Sequence, residues 1–213
     1  MAATLLIPLV GPLQAWGLDA RFDLRQTAPE PSFSAVLGLV CCCMGRDRSA
    51  SIDDLTSLRM GVRVDREGQL LRDFHTAENV VSSNGKPAKY PLLSQRWYLA
   101  DAAFLVGLEG DTTLLQQIHQ ALIHPYWSPC LGRRSCIPTV PLSAGGLVEL
   151  PLLEALGQAS PLSAQTSPHV RLVIDDPQGT QLRPDRPVAP FAQRRYGNRR
   201  VRTTLLQSAQ ILS

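Results

Sequence analysis

The most distinctive chemistry in the sequence is a short cationic loop made of Gly132, Arg133, Arg134 and Ser135. Glycine lets backbone N–H groups come close to a ligand, and each arginine can hold a phosphate through two parallel hydrogen bonds. The loop therefore predicts a site that binds the phosphates of a nucleic acid. Two adjacent arginines are also typical of a solvated turn, and the residues alone leave that alternative open.

A hydrogen-bonding side chain and an aromatic ring, Gln14 and Trp16, follow the first apolar run of the chain. They could offer a hydrogen bond and a stacking face to an unpaired base, and such stacking is worth about 1 to 3 kcal/mol per base. The alternative is that Trp16 closes the edge of the hydrophobic core.

Positive charge is concentrated near the C-terminal end, where residues 183–202 contain seven arginines against the single Asp185. The densest group consists of Arg194, Arg195, Arg199, Arg200 and Arg202. Such a density of like charge repels itself unless an anion lies nearby, so we expect a bound anion. RNA is favoured over a membrane surface because no apolar helical face accompanies these arginines. A solvated basic strand is the alternative.

A second set of residues is the one that a metal-independent ribonuclease would need. His75 could act as a base near a 2′-OH, Lys86 and Lys89 could stabilise the phosphorane charge, and Tyr90 could protonate the leaving group. All four lie in or next to one polar excursion of the chain. The alternative is that His75 anchors this excursion or contacts RNA.

The cysteines do not form a recognisable metal or disulfide pattern. Cys130, Cys136 and His124 match no standard spacing of zinc ligands and lack a fourth ligand. The chain has 5 cysteines, of which three are consecutive at residues 41–43, and this favours reduced thiols. No phosphate-binding loop, dinucleotide fingerprint or nucleophile elbow is found. The sequence therefore predicts neither a metal nor a cofactor.

Composition describes an ordinary globular protein. The 213 residues are 44% hydrophobic and 18% charged, which excludes disordered, collagenous and fibrous classes and suffices for one core or a domain with an appendage. No stretch is apolar enough to span a membrane, and the N-terminus lacks the features of a secretory signal. We expect a cytoplasmic protein that does not bind membranes.

Apolar runs and chain breakers predict the elements that would position these residues. They predict strands or helices at residues 4–10 (strand), 34–44 (buried helix), 51–58 (surface helix), 60–65 with 69–74 (hairpin), 97–108 (apolar run), 111–123 (helix), 137–142 (strand) and 170–175 (strand). This order predicts an α+β protein with a ferredoxin-like (RRM-like) βαββαβ domain at residues 1–143. An extended β-hairpin arm at about residues 75–96 and a small C-terminal appendage at residues 144–213, which ends in the basic tail, complete the prediction.

Five phrases in collinear order resemble a known family. They are GPLQAWG at 11–17, SAVLGL at 34–39 with Gly45-Arg46 after it, RDFHT at 72–76, RWYLAD at 96–101 and PYWSPCLGRRSCIP at 125–138. Together they resemble the CasD subunits of type I-E CRISPR Cascade complexes, which belong to the RAMP superfamily of RNA-binding ferredoxin-like proteins. The resemblance covers residues from about 5 to 141, and the tail more loosely.

The resemblance implies a noncatalytic subunit of an antiviral CRISPR complex that grips the 5′ handle of the guide crRNA. Such a subunit joins the backbone subunits to the large subunit, and it meets target DNA only indirectly, through the complex. The RNA-binding residues that we expect are Gln14, Trp16, Arg46, His75, Arg96, Gly132, Arg133, Arg134, Ser135, Arg194 and Arg195. The alternatives are a RAMP-type metal-independent endoribonuclease that processes CRISPR precursor RNA, and a free-standing binder of single-stranded RNA.

Overall fold

The computed structural model describes residues 2–17, 24–81, 85–87, 90–163 and 169–207. The strands are β1 (Ala3–Val10), β2 (Leu13–Gln14), β3 (Leu24–Arg25), β4 (Arg59–Arg66), β5 (Gln69–Ala77), β6 (Leu92–Ala100), β7 (Ala103–Gly110), β8 (Leu147–Val148), β9 (His169–Asp175), β10 (Gln181–Pro187) and β11 (Tyr196–Gln207). The helices are α1 (Phe33–Met44), α2 (Asp53–Thr56), α3 (Thr112–Ile123), α4 (Leu152–Gln158) and a 3-10 helix (Phe191–Gln193).

A seven-stranded antiparallel sheet forms the centre of the fold, with the strand order β10-β11-β9-β4-β7-β1-β8. Strands β1, β4 and β7 are buried along almost their whole length, because helices cover both faces of the sheet. Helices α1 and α3 pack on one face and α4 packs on the other. This is a mixed α/β architecture with a large antiparallel sheet and few helices.

Helix α4 approaches the sheet at two glycines that lie opposite each other on neighbouring strands, Gly61 and Gly107. A Cβ atom at Gly61 would lie 2.6 Å from a methyl of Leu156, and one at Gly107 would lie 2.7 Å from a methyl of Leu152. The absence of side chains at these positions therefore lets the two leucines of α4 reach the sheet surface.

A second, smaller sheet is built around the hairpin of β5 and β6, which we call the arm. Its strands pair without a break from Gln69 with Ala100 to Ala77 with Leu92. Strand β2 pairs antiparallel with β6, and β3 pairs parallel with it, so these two short strands attach the base of the arm to the body. Strand β5 is exposed or half-exposed along its length, so the arm projects from the core.

Several sequence-based predictions of elements are confirmed. The strand at 4–10, the helices at 34–44 and 111–123 and the strand at 170–175 correspond to β1, α1, α3 and β9. Side-chain caps begin both long helices, since Ser32 accepts from the N–H of Ala35 and Asp111 accepts from the N–H of Leu114. The predicted surface helix at 51–58 is shorter than expected and reduces to α2.

Two predictions of strands are wrong, the hairpin of 60–65 with 69–74 and the strand at 137–142. Residues 60–65 and 69–74 do not pair with each other, because β4 is buried between β7 and β9 whereas β5 pairs with β6. The apolar run at 97–108 is divided between two strands of different sheets, β6 and β7, and Asp101 between them takes a left-handed conformation (φ 56°). Residues 137–142 form an irregular segment and no strand, because Pro138 and Pro141 provide no N–H donors, and β8 pairs with β1 in their place.

The buried side chain of Arg199 connects helix α1 to the C-terminal strands through shared carboxylates. The guanidinium of Arg199 donates to the carboxylates of Asp175 and Asp185, and only 5% of this residue is exposed. Asp185 also accepts the N–H of Phe33 (2.9 Å) at the start of α1, and Asp175 accepts the N–H of Met60 (2.9 Å) on β4. Burial works against the charge of Arg199, but the two carboxylates outweigh it and raise the pKa of the guanidinium. We call this set of groups the Arg199 network.

A second buried arginine, Arg63, anchors α4. Its guanidinium pairs with Asp65 at 2.7 Å and donates to the carbonyls of Leu156 and Ala159, both at 2.6 Å, and of Ser160 at 2.9 Å. A cation at the C-terminal end of a helix satisfies carbonyls that have no partner within the helix and complements its dipole. Arg63 therefore has a structural role.

We predict that Arg199→Ala lowers the free energy of unfolding by about 3 to 5 kcal/mol, because it leaves two buried carboxylates without their cation. Arg202→Ala is the matched control on the same strand, since the Arg202 side chain is 59% exposed and pairs with Asp176 at the surface. This control should cost less than about 1 kcal/mol. Urea denaturation followed by circular dichroism measures both, and equal midpoints for Arg199→Ala and wild type would contradict the assigned role.

Candidate nucleic-acid interface

The loop of Gly132, Arg133, Arg134 and Ser135, which we call the Gly132 loop, packs against the segment that follows β1. Leu131 is buried, donates its N–H to the carbonyl of Cys136 (2.7 Å) and accepts from the N–H of Ala15 (3.0 Å). Gly132 has φ 91°, and a Cβ there would lie 1.7 Å from the carbonyl oxygen of Ala15. Glycine is therefore required at this position by the packing of the loop on the protein itself.

The two arginines of the loop have different surroundings. The guanidinium of Arg133 lies 4.5 Å from the ring centroid of Tyr98 on the arm and donates to the carbonyl of Arg25 on β3 (2.9 Å). Its Nη1 is buried and has no hydrogen-bond partner among the described residues. Arg134 and Ser135 are exposed. Arg133 thus links the loop to the base of the arm, whereas Arg134 presents its charge to solvent.

The structure contradicts the prediction that Gln14 and Trp16 contact a base. Both side chains are buried, with Trp16 only 1% exposed. The amide of Gln14 donates to the carbonyls of Leu9 (3.0 Å) and Ala102 (2.9 Å) and accepts from the indole N–H of Trp16 (3.1 Å). The pair fills the core where the two sheets meet, so neither side chain is available to RNA.

Arg46 directly follows the glycine that ends α1. Its guanidinium makes two parallel hydrogen bonds to Asp54 on α2, at 2.7 and 2.6 Å. The hydrogen bonds from Arg46 hold the pKa of the Asp54 carboxyl below its usual range. A ligand phosphate near Arg46 would therefore share the guanidinium with Asp54.

His75 and Arg96 lie on the two strands of the arm. The ring of His75 is 3.7 Å from the carboxylate of Asp73, and Arg96 donates to the hydroxyl of Ser94 (3.3 Å). Lys86 and Tyr90 lie beyond the paired part of the hairpin, and Lys89 lies outside the described residues. The arm residues are thus a separate group from those around α1.

The arginines of the C-terminal segment divide into structural and exposed groups. The prediction that Arg199 contributes free positive charge is wrong, because it is buried in the Arg199 network. Arg200 donates to the carbonyl of Gly179 (3.2 Å), and Arg202 pairs with Asp176 (3.1 Å). Arg194 and Arg195 are exposed in the turn between the 3-10 helix and β11.

A groove of about 570 Å³ brings several of these regions together. Its floor is the outward face of α1, one end is formed by Gly132, and another wall is formed by the 3-10 helix and the start of β11. Arg46 lines the groove, and the lining residues Phe191 and Tyr196 flank the exposed Arg194 and Arg195. We call this feature the α1 groove.

Four large side chains that line the α1 groove were not among the residues predicted from the sequence: Trp127, Phe191, Tyr196 and Arg48. Arg48 joins the loop after α1 to the 3-10 helix, since its guanidinium donates to the carbonyl of Phe191 (3.1 Å) and its own carbonyl accepts from Ala192 (2.8 Å). Two consecutive aromatic residues, Tyr126 and Trp127, in a loop were the signal that could have revealed this site.

Burial disfavours the thiolate form of the cysteines. Burial raises the pKa of Cys41 to about 11 and that of Cys43 to about 12, and it also raises the pKa of Cys42 and Cys130. All five are free. Within the described ranges, no group of three or more histidine, cysteine or acidic side chains is arranged to hold a metal. In the same part of the chain, no helix is long and apolar enough to cross a membrane.

Comparison with known proteins supports the resemblance found in the sequence. The model of a family described as "CRISPR-associated protein (Cas_Cas5)" matches residues 4–202. "CRISPR system Cascade subunit CasD" of Escherichia coli (strain K12) is 34% identical over 160 residues, which cover 68% of this chain and 71% of that protein.

Two solved structures are similar over nearly the whole chain. One, described as "Crystal structure of Cas protein", is 41% identical with a TM-score of 0.82, covering 98% of this chain and 97% of that chain. Another, from a "CRISPR RNA-guided surveillance complex", is 30% identical with a TM-score of 0.83, covering 96% of this chain and 90% of that chain. The resemblance to CasD is confirmed, and the chain belongs to the Cas5 family of CRISPR-associated proteins.

Proposed function

We propose that this chain is a noncatalytic, RNA-binding subunit of a CRISPR RNA-guided surveillance complex. It grips the 5′ handle of the guide crRNA and links the backbone subunits to the large subunit. The printed descriptions of its relatives support this role, since one is a Cascade subunit and another belongs to an RNA-guided surveillance complex. Target DNA would then be recognised by pairing with the guide and not by this chain.

The observation that carries the proposal is the placement of exposed cations around an aromatic groove. Gly132 lies at one end of the α1 groove, and Arg134 is two residues further along the chain. Arg194 and Arg195 lie between Phe191 and Tyr196, which line the other wall. Single-stranded nucleic acid is bound by cations that follow the phosphates and by aromatic rings that stack on the bases. The α1 groove combines both features on one face.

We further propose that residues 1–143 form a ferredoxin-like RAMP module and that residues 144–213 complete it as an appendage. Within residues 1–143, the strand order β1-β7-β4, with α1 after β1 and α3 after β7, supports such a module. Strand β8, at the start of the appendage, pairs with β1 in the position of the fourth strand. The arm is inserted between β4 and β7. Strands β9 to β11 extend the same sheet beyond β4, so the appendage and the module share one continuous sheet.

The arm carries a surface suited to neighbouring subunits. Leu70 and Phe74 are 61% and 63% exposed, and the pairing of β5 with β6 places Leu93 on the same face. Arg72 lies 5.8 Å from the ring centroid of Trp97 on this face. A contiguous exposed apolar patch typically marks a protein interface, and this supports a role of the arm in joining the subunits.

The alternative, a metal-independent endoribonuclease, has less support. His75 is paired with the carboxylate of Asp73 on the arm. The exposed cations of the α1 groove lie on the body, around α1 and the C-terminal turn. His75 fits better as an arm residue that contacts RNA or a partner, together with Arg96 on the facing strand.

We predict different effects for the two arginines of the Gly132 loop. Arg134→Ala should weaken binding of handle-containing guide RNA and reduce the slope of log K against log salt by about one, because one phosphate contact is lost. Arg133→Ala should weaken binding with the slope unchanged, because this guanidinium positions the loop on Tyr98. Fluorescence anisotropy across a salt titration measures both, with Arg134→Lys as the charge-conserving control. A wild-type slope and affinity for Arg134→Ala would contradict the proposal.

We predict that replacing both Arg194 and Arg195 with alanine lowers guide affinity by about tenfold or more at physiological salt, through lost phosphate contacts. The melting temperature should stay at the wild-type value, because both side chains are exposed. The matched control, Arg200→Ala, removes an arginine that is bonded to Gly179 and should change affinity less. An unchanged affinity of the double variant would show that this turn does not contact RNA.

We predict that the wild-type protein leaves unprocessed repeat RNA intact in the presence of EDTA, because its role is binding. Gel electrophoresis of end-labelled RNA after prolonged incubation measures this directly. Cleavage by the wild-type protein that disappears in His75→Ala would establish the ribonuclease alternative and overturn the noncatalytic role.

A further inference from the structure

The floor of the α1 groove is unusually open at one residue of α1. Ser34, Gly38 and Cys42 are spaced four residues apart and so lie on one face of the helix, which lines the groove. Among the described residues, no heavy atom lies within 4 Å of a Cβ added at Gly38. Glycine is unfavourable in a helix interior, and no contact with this part of the chain requires it at Gly38. The effect of this glycine is to keep the groove open.

The aromatic ring of Trp127 lies at the side of this opening. Trp127 is 45% exposed, and its backbone N–H donates to the carbonyl of Cys42 (3.3 Å) on α1. The ring of Tyr126 packs edge-on against it with centroids 4.9 Å apart. Tyr196, which is 46% exposed, and Phe191 line the groove as well. Trp127 is therefore a preorganised stacking surface.

The charged side chains inside the groove are paired with other groups of the protein, whereas exposed cations lie outside it. This arrangement suits an uncharged base inside the groove and phosphates outside it. Arg46 is paired with Asp54, and Arg48 is bonded to the carbonyl of Phe191. Among the described residues that line the groove, Asp47 is the one acidic side chain, and its carboxylate accepts from the N–H groups of Ser49 and Ala50 in its own loop. The exposed cations follow outside, in the Gly132 loop and in the turn before β11. The volume of about 570 Å³ lies in the range of small-ligand sites of about 300 to 1,000 Å³, which suits one nucleotide rather than a duplex.

We propose that the α1 groove holds one unstacked base of the guide RNA handle, which lies over Gly38 and stacks on Trp127. This inference rests on the proposed function and adds a specific base-binding pocket to it. Tyr196 and Phe191 complete the wall, and the flanking phosphates lie toward Arg134 on one side and toward Arg194 and Arg195 on the other. Because of this pocket, the affinity for the RNA depends on the base at one position of the handle and not only on its phosphate.

The test fills the pocket without harming the fold. Gly38→Leu places a bulky side chain in the open space and favours the helix. Gly157→Leu is the matched control, because Gly157 also lies in a helix and a Cβ added there has no atom of the described residues within 4 Å, but this helix is on the opposite face of the sheet. Each full-length variant is titrated with handle RNAs that carry a single abasic site at successive positions, and affinity is measured by fluorescence anisotropy.

For the wild-type protein and Gly157→Leu, we expect one abasic position to lower affinity by about tenfold or more, as expected for one stacked base. Gly38→Leu should bind intact RNA more weakly by a similar factor and should lose its sensitivity to that position. Trp127→Ala should behave like Gly38→Leu, and Trp127→Phe should restore the sensitivity.

Two outcomes would overturn the pocket and leave the proposed function intact. One is wild-type affinity for intact RNA in Gly38→Leu, and the other is a dependence on the same abasic position that persists in this variant. If Gly38→Leu binds RNA normally but no longer copurifies with the other subunits, the groove is a protein interface instead. Failure of the wild-type protein to bind any handle RNA would contradict the proposed function itself.

Discussion

The geometry of this molecule depends on one buried guanidinium, that of Arg199. A cation without access to water needs a counter-charge and hydrogen bonds to offset its lost hydration, and here two carboxylates from β9 and β10 supply them. Asp185 also accepts the first backbone N–H of α1, where a negative charge is favoured by the helix dipole. The Arg199 network therefore fixes the start of α1 relative to the C-terminal strands.

This constraint explains how the α1 groove is formed from distant parts of the chain. Its floor is α1, and one wall comes from the 3-10 helix and β11, which belong to the last fifth of the sequence. Gly132 closes another end because it packs directly on the carbonyl of Ala15. Each wall is thus attached to the common sheet by a specific contact, so the proposed RNA-binding surface is formed before the RNA arrives. Preorganisation of this kind reduces the entropic cost of binding.

The sequence predicted the elements that depend on local patterns and failed where distant contacts decide. The caps and apolar spacing of α1 and α3 are local, and so is the run that forms β1. The burial of Gln14 and Trp16 depends instead on the carbonyl of Ala102, 88 residues away from Gln14. Likewise, nothing near Arg199 in the sequence distinguishes it from Arg195, because its partner Asp175 lies 24 residues away. Only the prolines at 138 and 141 offered a local warning against the predicted fourth strand.

Hydroxyl-radical footprinting with mass spectrometry tests the RNA interface most directly. The full chain would be labelled alone and in complex with handle-containing guide RNA. Trp127 and Tyr196, which are half-exposed in the α1 groove, should lose labelling when RNA binds, while the exposed Leu153 on α4 and Leu205 on β11 should keep it. Equal labelling of Trp127 and Tyr196 with and without bound RNA, or protection of Leu153, would show that the guide binds elsewhere.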